Sequence, residues 1–458
     1  MSDYKITVQL KQYTPMLHFQ AEESGACLRA SEVKHRLDRF VLTWLSQNGV
    51  DGIRLPYGWS DQTYKDKKCE KPEKPLERIS LRYRMHFDAP KAPNGKETGS
   101  EVHKLYFGNM GKKNDHEKMK SLFYTAPQTM TILCLAGGVI DVKGQKMTLS
   151  AILRKLIPAF FALHNFGTRS NKGFGSFGVI AMDGEEIDSF TPEKLAQFLP
   201  KEIPALYYLS NENSDTYLND IQALSVLMKG GVNLTHGDPE NPQFQRDAIR
   251  LYFGKNGGFR SEKAMIKKFI LPAKDEDEAV EELFSVQPVQ SLEKCRYVRG
   301  LLGITEGVEY RTDERKDKKT GVKVKKNPHS YRSGKVKIQG KDKDKTGKKP
   351  LIARFANPVL FKPYEGYLLM IPHPVPKKML GASFVFESGG NRKTLRTPDA
   401  FDIDDFMQFF AEVFKSIPPE KADAFSHSRI EIGKYVGDVL QYNSCISRAP
   451  GKEETSNE

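Results

Sequence analysis

His164-Asn165-Phe166-Gly167-Thr168-Arg169-Ser170-Asn171-Lys172-Gly173-Phe174-Gly175-Ser176-Phe177-Gly178-Val179 is the stretch on which the reading of this chain turns. Four glycines alternate with two cations, small polar residues and three phenylalanines. Glycine permits positive φ and close approach of another chain. Successive free backbone N–H groups make an anion-binding concavity. Arg169 and Lys172 add charge, and Phe174 or Phe177 offers a stacking face. The combination suits a phosphate-containing polymer better than a metal or an apolar ligand. Gly173 to Gly178 does satisfy G-x-G-x-x-G, but the dinucleotide-binding version follows a strand and opens a helix. Here the order is reversed. Leu149, Ile152, Leu153, Leu156, Phe160 and Leu163 recur at helical spacing before the loop, with Thr148 or Ser150 as cap, and Phe177–Met182 reads as a strand after it. A kinase glycine loop is excluded because the chain has no D-F-G and no H-R-D. A simple turn needs one or two glycines, so four with two cations favour a binding loop over a plain connection.

Working outward, Lys5 to about Gln20 reads as a strand interrupted at Pro15. Ser31 caps a helix whose apolar face is Val33, Leu37, Phe40, Val41, Trp44 and Leu45. Ile79–Phe87 and Met130–Leu135 are strand-like, followed by the helix at 149–165, the loop and the strand at 177–182. This order, β-α-β-β-α-β, is that of the ferredoxin-like or RRM-like unit. Residues 191–285 read as mainly helical, with helices at Asp220–Met228 and Asn241–Phe253. A second β/α unit is expected at 286–420: a helix at Leu292–Leu302, strands at Leu351–Phe355 and Tyr367–Ile371, and an amphipathic helix carrying Ile403, Phe406, Met407, Phe410 and Phe414. A C-terminal helix and a disordered tail fill 421–458. The expected class is α+β: a ferredoxin-like domain at 1–190 and a second β/α unit, with a helical insertion and a long basic loop.

The chain has 458 residues and a formal net charge of +13, enough length for two to four domains with real cores. Its 27 Phe and 18 Tyr supply packed interiors. Cys27, Cys69, Cys134, Cys295 and Cys445 are scattered without a C-x-x-C pair, which argues for a reducing compartment and against a zinc ribbon or disulfide framework. No apolar run reaches membrane-spanning length and the N-terminus goes directly into a strand, so the expected location is the cytoplasm, with no membrane partner, metal or cofactor. The charge is concentrated. Arg311–Pro350 holds sixteen Lys/Arg against five Asp/Glu. It reads as a solvated arm or as a β-hairpin in which Lys323, Lys325, Lys335 and Lys337 line one basic face; either attracts polyanions.

Several segments resemble the RAMP superfamily of CRISPR-associated proteins. Tyr13-Thr14-Pro15 followed by Cys27-Leu28-Arg29-Ala30-Ser31-Glu32-Val33-Lys34-His35-Arg36-Leu37-Asp38-Arg39-Phe40 is similar to its first motif, a strand ending in T-P and a helix of the form L-R-x-S-x-[IV]-K-G-x-x-R. Phe166–Phe177 resembles its glycine-rich signature, G-x-R-x-x-[KR]-G-F-G-S. Arg296–Gly303 and Ala353–Lys362 resemble R-x-L-L-G-L and R-x-x-S-P-[IL]-x-F-K elements, the latter found in the first-subunit family of the type III-B Cmr effector. His35 stands where a glycine is usual and Asn357 where a serine is. The resemblance implies tandem ferredoxin-like (RRM-like) domains and a subunit of a type III interference complex that touches guide RNA, the target RNA as a further candidate, and other effector subunits. By that carry-over Gly167, Arg169, Ser170, Asn171, Lys172, Gly173, Phe174 and Gly175 hold phosphates or riboses. Arg29, Lys34, Arg36 and Arg39 form a neighbouring basic surface, read otherwise as solvated helix positions.

Two alternatives stay open. A RAMP-family endoribonuclease, processing guide or cutting target RNA, would need an acid/base pair. His18, His35 and His164 are candidates, as are Asp88, Asp115 and Asp141, but none has a distinguishing motif. A general single-stranded RNA-binding protein is the other, although the K/R-G-F-G-F-V-x-F strand motif is met only in part. The expectation is therefore a non-catalytic RNA-binding subunit.

Overall fold

Strand β1, Lys5–Gln12, buries Ile6, Val8, Leu10 and Gln12 and leaves the alternate residues partly or fully open, the period of a strand with one covered face. This computed structural model describes residues 4–17, 28–50, 55–56, 58–60, 79–88, 121–203, 205–210, 217–233, 244–245, 247–257, 259–271, 295–304, 307–310, 314–316, 323–325, 334–342, 352, 354–415 and 444–447. Helix α1, Ala30–Gln47, buries Val33, Leu37, Phe40, Val41, Trp44 and Leu45. Its cap position is Arg29, with no side-chain cap; the expected cap, Ser31, lies inside the first turn. Strands β2, Arg84–Asp88, and β3, Gln128–Leu133, lead to helix α2, Leu149–Leu163, capped by Thr148, whose hydroxyl accepts from Ala151 N at 3.2 Å. Strand β4, Phe177–Met182, closes the set in the sheet order β2-β3-β1-β4, every pairing antiparallel, with Glu185–Glu186 added beside β4.

A second sheet repeats this connectivity. Strand β5, Ala205–Ser210, is followed by helix α3, Tyr217–Lys229, and helix α4, Ala248–Gly257. Strands β6, Gly307–Tyr310, and β7, Gly334–Gly340, come next, then β8, Val359–Tyr364, and β9, Tyr367–Pro372. Strands β10, Ser383–Ser388, and β11, Asn391–Arg396, precede helix α5, Ile403–Lys415, and strand β12, Ser444–Ser447. The second sheet runs β8-β9-β5-β12; β6-β7-β10-β11 form a third. Leu360, Leu369 and Ile371 pack into the core of the first sheet, while Phe361, Leu368 and Met370 pack with α3, α4 and α5. Both faces of the second sheet are thus covered. Strands β5 and β9 are near-continuous apolar runs for that reason, as expected where no face meets water.

Four expectations change. The segment read as mainly helical holds the short helix Pro192–Ala196, α3 and α4, but it also contributes β5, an inner strand of the second sheet. The helix expected at Leu292–Leu302 is a two-residue strand, Cys295–Arg296, and a short 3-10 turn, Val298–Leu302, ending at Gly303 with φ +114°. The tail at 421–458 contributes β12, and the rest of it lies outside the described residues. The basic arm is in part core: β7 pairs with β6 and β10, and Val336 and Ile338 are buried with Phe384 and Phe386. Lys323–Lys325 pairs with Glu314–Lys316 and not with Lys335–Lys337, so the expected hairpin between the two lysine runs does not form. Lys335 and Lys337 are exposed on the alternate face of β7. No helix among the described residues is long and apolar enough to cross a membrane.

Candidate nucleic-acid interface

The glycine loop leaves α2 at His164 and returns into β4 at Phe177, and it is held on every side. Thr14 Oγ1 donates to Gly173 O and accepts from Ser176 N at 3.0 Å; Pro15 O accepts from Gly175 N at 2.9 Å. From α1, Glu32 Oε1 accepts from Gly167 N at 2.9 Å and Arg36 Nη1 donates to Asn165 O at 2.6 Å. From β8, the ammonium of Lys362, wholly buried, donates to His164 O at 2.9 Å, Ser176 Oγ at 2.7 Å and Phe177 O at 2.8 Å, pinning both ends of the loop. Burial holds the Lys362 amine well below its usual pKa. The strand-end Thr14-Pro15 and helix residues Glu32 and Arg36 therefore serve the loop's shape.

Gly175, at φ +67°, has no room for a side chain: a Cβ there would stand 1.9 Å from Phe166 O. At Gly173 a Cβ would stand 2.2 Å from Ile221 of α3, so this glycine lets the loop touch the second half of the chain. Arg169 also holds positive φ, +62°, a conformation costing a non-glycine residue about 1–2 kcal/mol. The loop is not an open nest of amides. Phe166, Gly167, Thr168, Lys172, Gly173, Gly175 and Ser176 all donate their N–H groups within the protein. Phe166, Phe174 and Phe177 are buried, so the expected stacking faces are turned into the core. Charge is what the loop presents. Lys172 is exposed and Arg169 half-buried; partial desolvation lowers the pKa of both, and for Lys172 the neighbouring Arg169 adds to the effect.

The loop's outer edge meets two more of the motif-bearing segments. Asn171 Nδ2 donates to Asn357 O at 3.0 Å, Asn171 O accepts from Phe361 N at 3.2 Å, and Lys172 bridges to Phe361. Asn357 in turn accepts from Val359 N at 3.0 Å, the local turn bond that a serine hydroxyl also makes. Gly303 lies against the backbone of Phe355 and Asn357, and its carbonyl accepts from Lys229 Nζ at 2.5 Å. Burial, reinforced by Arg299, pulls the Lys229 ammonium to about 8; Glu262 opposes this and Lys172 adds to it. Segments far apart in sequence thus form one seam, carrying Arg169 and Lys172, with Arg354 exposed beside it.

The other expected residues separate into two groups. Arg29 and Arg39 are exposed along α1, as is His35. Lys34 is turned inward: it donates to Asp38 at 2.8 Å, Ser80 Oγ at 3.0 Å and Leu81 O at 2.7 Å, and lies over the Tyr83 ring. The side chains of Lys323 and Lys325, with His18 and Asp115, lie outside the described residues. His164 is packed between Phe160 and Phe40, with Nδ1 donating to Phe160 O at 2.9 Å, and burial lowers its pKa to about 4. Asp141 ties a turn through Gly144 N at 2.7 Å, and Asp88 pairs with His86 at 2.9 Å. Lys229 holds the Gly303 turn without any mark in the sequence, and Lys362, the last residue of the R-x-x-S-P-[IL]-x-F-K resemblance, is not among the expected site residues. The signal for Lys362 is its place in Pro358-Val359-Leu360-Phe361-Lys362, a cation amid apolar strand residues.

The glycine loop of this α+β chain is thus clamped by a Thr-Pro strand end from one half and an Asn-Pro strand start from the other. Comparison with known families matches residues 3–232 to the Cmr1 N-terminal domain and residues 245–428 to the Cmr1 C-terminal domain. The chain belongs to the Cmr1 family, subunits of the type III-B CRISPR effector complex. A search of individually curated proteins finds no match.

Proposed function

We propose that the chain is a non-catalytic subunit that holds guide RNA along the seam between its two halves, in a cytoplasmic complex with other Cmr subunits. The observation that carries this is the convergence of the glycine loop, the Gly303 turn and the 354–361 segment on one surface bearing Arg169, Lys172 and Arg354. Cations of this kind grip backbone rather than sequence, as a subunit serving many guides requires. Gly167, Gly173 and Gly175 shape the loop in this reading, Ser170 and Asn171 form its rim, and Phe174 supports it from inside. Arg29 and Arg39 extend the basic surface along α1, and Lys323, Lys325, Lys335 and Lys337 offer a flanking polyanion contact. Lys34 and Arg36 act as positioning residues. We read both halves as ferredoxin-like, the second beginning at β5: each follows β-α-β-β-α-β with its four principal strands in the spatial order second, third, first, fourth. The endonuclease alternative draws no support from His164, whose ring is packed and held neutral.

Photocrosslinking with guide RNA carrying 4-thiouridine at successive positions, followed by peptide mapping, tests the placement. Crosslinks are expected in both 164–178 and 354–362. Crosslinks that avoid both segments contradict the proposal.

A further inference from the structure

The large apolar side chains that stand open to solvent gather in one place. Among the described residues they are Tyr4, Leu133, Leu135 and Val139, and Leu135 is 76% exposed. Strand pairing brings them together: Cys134 N donates to Tyr4 O at 2.8 Å, and Leu133 pairs with Lys5 of β1 and Arg84 of β2. In β3, Met130 and Ile132 join the core with α1 and α2, so Leu133 falls on the opposite, outer face. The alternation continues through buried Cys134 to Leu135. The turn that follows is fixed from behind. The indole of Trp59, wholly buried, donates to Gly137 O at 2.8 Å, and a Cβ on Gly138 would stand 3.1 Å from Pro56. Leu135 and Val139 are therefore presented on a held backbone. The rim is cationic. Lys5 and Arg84 are exposed on either side of Leu133, and neither has an acidic partner among the described residues.

We propose that this end of the first sheet docks a neighbouring protein subunit, whose apolar hollow takes Leu135 and Val139 and is edged with carboxylates facing Lys5 and Arg84. Chance exposure scatters apolar residues singly, whereas a cluster on a fixed backbone marks a protein contact. Leucine and valine offer no plane for a base to stack on, unlike the aromatic platforms of single-strand binders. A second copy of this chain fits poorly, because a two-fold contact sets the same patch against itself and would bring Lys5 and Arg84 against their own copies. The surface is independent of the RNA-holding reading. The glycine loop is held at the Thr14-Pro15 end of β1, and the apolar cluster lies at the Lys5 end, roughly 23 Å of strand away.

The test uses the Cmr effector complex assembled from its separately purified subunits and guide RNA. With Leu135→p-benzoylphenylalanine, irradiation is expected to join this chain to a peptide of another subunit that contains Asp or Glu. Leu135→Glu/Val139→Glu, at two exposed positions, should enter the complex about tenfold or more less readily, while the isolated variant keeps the wild-type melting temperature and guide-RNA affinity. Lys5→Glu/Arg84→Glu should weaken incorporation more at low salt than at high salt. Wild-type incorporation of folded Leu135→Glu/Val139→Glu overturns the docking surface. Should that variant fail to fold, the crosslink decides: a product confined to this chain, to a second copy of it or to RNA, or no product at all, overturns the proposal.

Discussion

At Gly175 the chain's geometry admits one residue type. Gly175→Ala puts a Cβ into the Phe166 carbonyl and strains a left-handed backbone, whereas Gly184, also left-handed at φ +90°, has nothing within 4 Å of that position. Gly175→Ala should therefore cost roughly 3 kcal/mol and Gly184→Ala about 1 kcal/mol, the second being conformational strain alone. Urea melts of the two variants check this, and equal losses would show that the loop yields. His164 makes a pH prediction. Its folded pKa, about 4, lies below the unfolded value near 6.5, so its contribution is complete above about pH 6.5 and is lost as pH falls toward 4. Wild type should lose about 2–3 kcal/mol more than His164→Gln between pH 7 and pH 4.5. An identical acid dependence in both proteins would place the transition on other groups. The loop's glycines are legible as a site because a cluster of them with cations has few other uses. The inward turn of Lys34 and the burial of Phe174 are not, since a lysine on a helix face and a phenylalanine in a loop carry no mark of which way they point.

Among elements, β7 is the most informative. Its Lys335-Val336-Lys337-Ile338 alternation sits in a stretch so rich in lysine that it reads naturally as solvated chain, yet Val336 and Ile338 are 1% and 2% exposed. Deleting 313–348 removes this strand from between β6 and β10 and should abolish cooperative folding of the third sheet. Val336→Asp, burying an unpaired carboxylate, should cost on the order of 3–5 kcal/mol, while Lys335→Gln with Lys337→Gln, which removes only exposed charge opposite Glu309 and Glu387, should stay within about 1 kcal/mol each. Thermal melts decide between a core strand and an arm, the arm requiring all these variants to melt alike. The first sheet is readable because β1 and α1 have one covered face and so show periods of two and 3.6. Strand β5, Ala-Leu-Tyr-Tyr-Leu-Ser, is not, because a strand covered on both faces loses its alternation.

The whole molecule joins two similarly connected sheets through a shared core, and the glycine loop sits where they meet. In that arrangement the scattered family motifs are one structural unit: Thr14-Pro15 and Lys362 fix the loop from opposite halves, and Arg169 and Lys172 are what it shows to solvent. The central claim is that these two side chains grip RNA phosphates, and the salt dependence of binding tests it most directly. Affinity for single-stranded guide RNA, measured from low to high salt for wild type and for Arg169→Ala/Lys172→Ala, should show the log–log slope of the variant shallower by roughly 1.4, about 0.7 for each phosphate that the protein no longer neutralises. Its melting temperature should be little changed, because the loop is held by the main chain and by Lys362. A folded variant with the same slope and the same affinity as wild type would contradict the account, leaving the loop as a structural clamp and the RNA path elsewhere.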